Sequence, residues 1–422
     1  MSERPALLVS ALSVDITPQQ SCPLAGFAAR PSPFRGVADR LEASVAVIRD
    51  GSSQVVLVAV DALYVGALRA MVLERVKAKL GRAELFMAAS HTHFAPATDP
   101  ALPGLGDVDP VYLDMAADIT ARGIDACLRA TPVPAELAWA TRPTRQAINR
   151  RRMNWRLRRR PVPRLERAME LAPNRRGPTD GLLRALVARS KEDAKVLAVL
   201  WNFACHPVAF PRRDMVSAEF PGVVRAALRA SFGAELPVLF LQGFAGNQRP
   251  NIVESSWFHA ALGLERFNRP DEAKWQAWAG ELAAEVGSLV AQARDLVDGS
   301  LSTGRVALSL NGVVESAARE RSVSFHRVAF GRDVAIVGIS AEPIAEWAPL
   351  LTQRVGAKLV MPVGYIDEVY GYWPTNQVIG EGGYEAGQFF PSFSLTGRFA
   401  SDVEAPFLQG LERVLSDQEK QG

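Results

Sequence analysis

Cysteine is scarce in this chain. Only Cys22, Cys127 and Cys205 occur, scattered and odd in number, so a disulfide framework is not expected and a reducing, cytoplasmic setting is. Long apolar runs are missing as well. None approaches the roughly 18 residues needed to span a bilayer, which argues against a transmembrane segment. The opening MSERPALLVSALSVDITP has an acidic residue ahead of its apolar residues and no small-residue cleavage pattern, so no signal peptide is read. Internal repeats, low-complexity tracts and long linkers are absent too. Histidine is rare, with five in 422 residues.

A hydrophobic content of 48% with 22% charged residues fits a soluble globular protein. The net charge of +3 predicts no partner by itself, but its distribution is uneven. Residues 142–167, RPTRQAINRRRMNWRLRRRPVPRLER, hold eleven arginines and one glutamate, a net of +10 that leaves the remainder at −7. One aromatic, Trp155, and no nucleic-acid motif accompany them, so nucleic acid is not the expected partner. The stretch reads better as a surface loop, or as a loop meeting an anionic or carboxylate-bearing substrate.

Strand and helix patterns alternate along the chain. ASVAVIRDGSSQVVLVAVDAL reads as two strands around Asp50-Gly51, GALRAMVLERVKAKLG as a helix ending at glycine, and AELFMAAS as a short buried strand. VPAELAWATRP reads as an edge strand, AKVLAVLWNFACHP as a long apolar strand halted by Pro207, and LPVLFLQGFAGN as a strand entering a glycine-rich loop. This predicts a single α/β domain over 1–422, with large mixed β-sheets flanked by helices.

Two of the rare histidines sit at the end of AELFMAAS, in SHTHFAP. Residues i and i+2 of a strand face the same way, so His91 and His93 can enter one cleft as metal ligands. One packed and one solvent-facing histidine is the plain alternative. His206, in NFACHPV, also ends a buried strand, and three of five histidines at strand ends favour a shared site. His259 and His326, in an irregular stretch and within a strand, receive the plain reading. Glu342 follows the strand VAIVGIS; it reads either as a carboxylate ligand or as an ordinary first-turn helix residue. Asp61 ends the strand VVLVAVD and is a candidate outer partner of a ligand.

Five blocks, SHTHFAP, NFACHPV with VSAEFPG, FLQGFAGNQRPN, SAEPIAEWA and EVYGYWPT, run in the order of the neutral ceramidase blocks THTHSGPGG, HPT, QGxxGDVSPN, PGEFTT and YxxYxTT. The start, DITP followed by LAGFAAR, is similar to that family's opening strand and turn. The resemblance covers nearly the whole chain and implies the fold of the ceramidase catalytic domain. It implies one zinc per chain, with ligands at His91, His206, Glu342 and Tyr372. His93 then matches a non-ligand histidine facing the scissile amide, and Arg150 matches an arginine that helps hold the substrate.

There are departures. Where the family carries a serine treated as catalytic, this chain has Arg249, and Asn247 replaces the preceding aspartate. The family's C-terminal immunoglobulin-like domain has no counterpart in this sequence. The expected activity is therefore zinc-dependent hydrolysis of a small-molecule N-acyl amide, or its formation in reverse, on a substrate other than ceramide. Gly243, Asn247 and Arg249 are the expected substrate contacts, with backbone amides of 243–246 as candidate oxyanion donors. Arg249 needs an anionic partner, either Glu219 or Asp61 of the protein or a carboxylate of the substrate. A non-catalytic binding protein on the same fold, and a metal-dependent esterase or lactonase, are the competing readings.

Overall fold

The computed structural model describes residues 7–27, 30, 33–51, 53–158, 164–253, 265–315 and 321–416. Its largest sheet has nine strands. Eight of them run in order as Val238–Gln242, Val196–Phe203, Leu182–Ser190, Val133–Pro143, Leu7–Asp15, Glu42–Asp50, Ser53–Val60 and Glu84–Ala89, and the ninth, Asp295–Leu296, pairs with Val133–Pro143 off this path. The two outermost pairs are parallel (Val199 with Val238, Val55 with Glu84) and the interior pairs antiparallel. A second sheet joins Leu301–Ser309, Ser322–Phe330, Val334–Ile339 and Leu359–Val363, with the last two parallel.

Alternation along the strands explains the layering. In Glu42–Asp50, Ala46 and Ile48 face the second sheet, where they share a core with Phe330, Ile336 and Met361. Val45 and Val47 face the other way, onto the helices Gly66–Leu80 and Pro110–Arg129 through Val72, Val76 and Ala117. The helices Phe220–Phe232 and Glu272–Gln292 cover the far end of the same face, with Phe220, Trp278 and Leu282 packed on Trp201 and Phe203. Helix Glu404–Ser416 covers the outer face of the second sheet by way of Phe407 and Leu411. Two sheets lie face to face with helices outside both.

Parallel pairs at the sheet margins bring the C-terminal ends of several strands to one end of the molecule. Here the sheets are stitched together. Ala89 N–H donates to Tyr365 O (3.0 Å) and Gly364 N–H to Gln242 O (3.0 Å). The buried Asn202 amide donates to both Leu241 O and Pro362 O at 2.8 Å. Buried polar groups so satisfied fix the relative placement of two sheets.

Three sequence expectations are corrected. Val133–Pro143 is no edge strand: Leu182–Ser190 pairs with it from Ala135 to Pro143, and Leu7–Asp15 pairs with its first residues. It resembled an edge because its other side is covered only by that short pairing and by Asp295–Leu296. The arginine-rich stretch is no loop but mainly the strand Ala147–Arg158, paired with Arg164–Asn174 and with Gln248–Pro250. Charge misled there because Arg150 and Arg151 are buried and share Glu385, with Glu381 also facing Arg151. Glu342 opens no helix; it lies in the two-residue strand Glu342–Pro343, and the helix starts at Trp347. His326 lies within a strand as expected, while His259 lies outside the described residues.

Candidate metal centre

His91 and His93 leave the end of Glu84–Ala89, and His206 leaves the end of Val196–Phe203. His93 N–H donates to Pro207 O at 3.2 Å, tying the two strand ends together. One ring nitrogen from each of the three histidines lies within 4.8 Å of the other two, an arrangement that could hold a metal ion. His91 adopts φ 64°, a left-handed conformation that a non-glycine residue holds only when its surroundings demand it.

Each ring is fixed by its Nδ1. That nitrogen donates to Leu63 O from His91 (3.0 Å), to Gly26 O from His93 (2.9 Å), and to Ala245 O from His206 (2.7 Å). A carbonyl only accepts, so each Nδ1 carries the proton and each Nε2 presents a lone pair. His91 Nε2 and His93 Nε2 stand 3.3 Å apart. Glu342 Oε2 lies 3.6 Å from His91 Nε2 and 3.3 Å from His206 Nε2. His206 Nε2 is buried without a hydrogen-bond partner.

Burial holds the His91 imidazole down to about 3 despite the nearby Glu342; burial holds His93 and His206 well below the ordinary range, with Arg30 adding at His93 and Arg150 at His206. The neutral rings of His91 and His206 thus direct two lone pairs toward the Glu342 carboxylate oxygen, with the His93 lone pair alongside. A cation is the complement of that donor set, and imidazole with carboxylate suits zinc. His91 and His206 are 1% exposed, whereas His93 is only partly buried.

Tyr372 pairs in register with Glu342 in a two-stranded parallel ladder. Its ring is stacked parallel to that of His206 with centroids 6.5 Å apart. Its hydroxyl accepts from Arg150 Nη2 at 3.2 Å, and Arg150 Nε donates to Glu385 at 2.8 Å. Burial works against the Arg150 charge, but Tyr372 and Glu385 outweigh it and raise its pKa. The sequence reading missed two tyrosines that grip Glu342. Tyr64 donates to Oε1 and Tyr365 to Oε2, the latter at 3.4 Å. Neither lies in a recognisable motif; each follows the end of a strand, and that position was the available signal.

The other expected residues are placed differently. Asp61 faces Arg225 (2.7 Å) and the Glu42 amide rather than a histidine. Gly243 N–H donates to Phe203 O and Gly246 N–H to Pro343 O, so neither amide is free as an oxyanion donor. Asn247 is fully buried; its side chain donates to Glu346 and accepts from Ala345 N–H, while its carbonyl accepts from Arg150 N–H. Arg249 meets neither of the acids expected for it. Glu219 accepts from the amides of Ala209, Phe210 and Phe220, and Asp61 is engaged by Arg225.

No family model matches the sequence, and no curated protein matches it. Solved structures do. The crystal structure of neutral ceramidase from Pseudomonas aeruginosa superposes with a TM-score of 0.77 at 14% identity, covering 99% of this chain and 75% of that one. A structure of ceramidase complexed with C2 gives a TM-score of 0.78 at 14% identity, over 99% of this chain and 76% of that one. Through almost its whole length, the chain has a neutral ceramidase-like fold.

Proposed function

We propose that this protein is a zinc-dependent hydrolase of N-acyl amides, holding one zinc with His91, His206, Glu342 and Tyr372. The observation that carries the reading is the convergence of unprotonated Nε2 atoms on Glu342, with His206 Nε2 left without a partner. When bound, zinc supplies a Lewis acid for the amide carbonyl and lowers the pKa of water toward about 7. His93 stands beside this set with its Nδ1–H committed to Gly26 O. Its Nε2 is the atom that takes a proton from water and returns it to the departing amine. Arg150, held by Glu385, keeps a positive charge next to the Tyr372 hydroxyl and orients it. The same groups serve amide formation, since both directions share a transition state.

The test is metal content together with turnover of a panel of acyl amides and matched esters. Stoichiometric zinc with amide turnover is expected. Metal-free protein without turnover would leave a binding protein, and ester-only turnover an esterase.

A further inference from the structure

A cavity of about 90 Å³ is walled by the segments that leave His206 and Gln248. One wall is Val208–Phe210, just beyond the histidine; another is Arg249, Pro250 and Ile252, beginning one residue after the Gln248 carbonyl that faces His206 Nδ1 at 3.1 Å. Arg213, Arg249 and Arg269 line it with Phe210, Ile252 and Phe267, and among the described residues no carboxylate does. Arg249 has no ion-pair partner among those residues. Its guanidinium carbon sits 4.6 Å over the ring of Phe267, which covers the face of the group and leaves its in-plane N–H donors for another ligand. Arg213 lies 4.2 Å over Phe27, whose ring centroid is 5.0 Å from that of His93. Burial, with Arg150 and Arg213 adding, lowers Arg249 to about 10, so it remains charged at neutral pH. The buried Glu219 acts on Arg249 only through space, its oxygens being taken by the amides of Ala209, Phe210 and Phe220, so the three arginines of the cavity wall make a seat for an anion.

We propose that this cavity binds a carboxylate carried by the substrate, so that the acyl amides cleaved at the histidines are acidic ones. Arg249 supplies the fork, Arg213 and Arg269 the rim charge, and Phe210, Ile252 and Phe267 the apolar sides. The inference rests on the hydrolase reading for the word substrate, but the cavity can be tested by binding alone.

The experiment compares N-octanoylglycine with N-octanoylglycinamide, which differ in the carboxylate, and with the sulfonate N-octanoyltaurine. Zinc-loaded wild type, Arg249→Gln and Arg213→Gln are compared by kcat/KM and by calorimetric titration. The wild type should prefer the carboxylate over the amide. That ratio should fall about 10²–10³-fold in Arg249→Gln and less in Arg213→Gln, whose rim position spares the fold. An unchanged ratio in both variants overturns the proposal, and so does a wild-type preference for the sulfonate. If the wild type turns over none of the three, the hydrolase reading fails while titration still decides on the cavity. Tighter binding of N-octanoylglycine than of its amide, lost in Arg249→Gln, upholds the anion site; equal binding rejects it.

Discussion

Glu342 and Tyr372 stand side by side in a parallel ladder of only two residue pairs, Glu342 with Tyr372 and Pro343 with Trp373. This short ladder joins the end of one strand of the second sheet to the segment after another, and Glu342 N–H donates to Gly371 O at 2.8 Å. Around it, Tyr64 and Tyr365 hold the two oxygens of the Glu342 carboxylate. The carboxylate's direction is therefore set by hydroxyl groups from both sheets.

Such outer partners tune a ligand they never replace. Tyr64→Phe and Tyr365→Phe should each weaken zinc binding about 10–100-fold without removing the site. Competition against a calibrated chelator measures this. Zinc affinity unchanged in both variants would mean that Glu342 is held by its backbone ladder alone.

The three histidines should separate by function. His91→Ala and His206→Ala should lose most zinc and nearly all activity. They should also lose the thermal stabilisation that zinc gives the wild type, since a ligand bound only by the folded state stabilises by mass action. His93→Ala should keep zinc while its rate falls about 10²–10⁴-fold. Elemental analysis of the three variants decides the matter; loss of zinc from His93→Ala would make His93 a ligand.

The histidines were legible in the sequence because a two-residue spacing at a strand end, and a proline after a buried strand, constrain where side chains go. The layered α/β arrangement was legible for a similar reason: alternation in stretches such as ASVAVIRD survives into the two faces of one sheet. What could not be read was pairing between distant segments. Nothing local marks Tyr64 or Tyr365 as partners of Glu342, or Glu385 as the shared partner of Arg150 and Arg151. The run of arginines therefore looked like a solvated loop although part of it is a buried strand. Burial of a charge depends on a partner more than 200 residues away, and composition does not contain that information.

Asp367 shows the same dependence on distant partners. It lies within 2.8 Å of His326 Nε2, 2.7 Å of Arg69 and 3.2 Å of Arg305. Burial opposes its charge, but His326, Arg69 and Arg305 outweigh burial and hold the carboxyl down at about 2 against an ordinary 3.8. A depressed carboxyl contributes stability above the unfolded value and loses it as pH falls toward the folded one. The shift corresponds to about 2 kcal/mol at neutral pH. Asp367→Asn strands the arginine charges as well and should cost about 3–5 kcal/mol there. Urea titrations of both proteins from pH 7 downward should show the gap narrowing below pH 3.8. A gap that ignores acidification would place the cost in packing.

Gly26 gives the sharpest test of His93. Its φ is 98°, its carbonyl accepts from His93 Nδ1–H, and a Cβ built on it would lie 2.5 Å from that nitrogen. The imidazole has little room to retreat, because the His93 backbone is bonded to Pro207 O and its ring packs on Phe27 at 5.0 Å. Gly26→Ala should therefore displace the ring, keep zinc, and lower kcat/KM toward the value of His93→Ala. The left-handed backbone adds a stability cost of about 1–3 kcal/mol that needs its own control. Gly81 provides it: its φ is 60°, it follows the helix Gly66–Leu80, and a Cβ there meets nothing within 4 Å. Gly81→Ala should show the backbone strain and wild-type turnover. Similar kcat/KM values for the two alanine variants would show that His93 does not need the Gly26 turn, and its assignment as the proton-transfer group would lose its structural support.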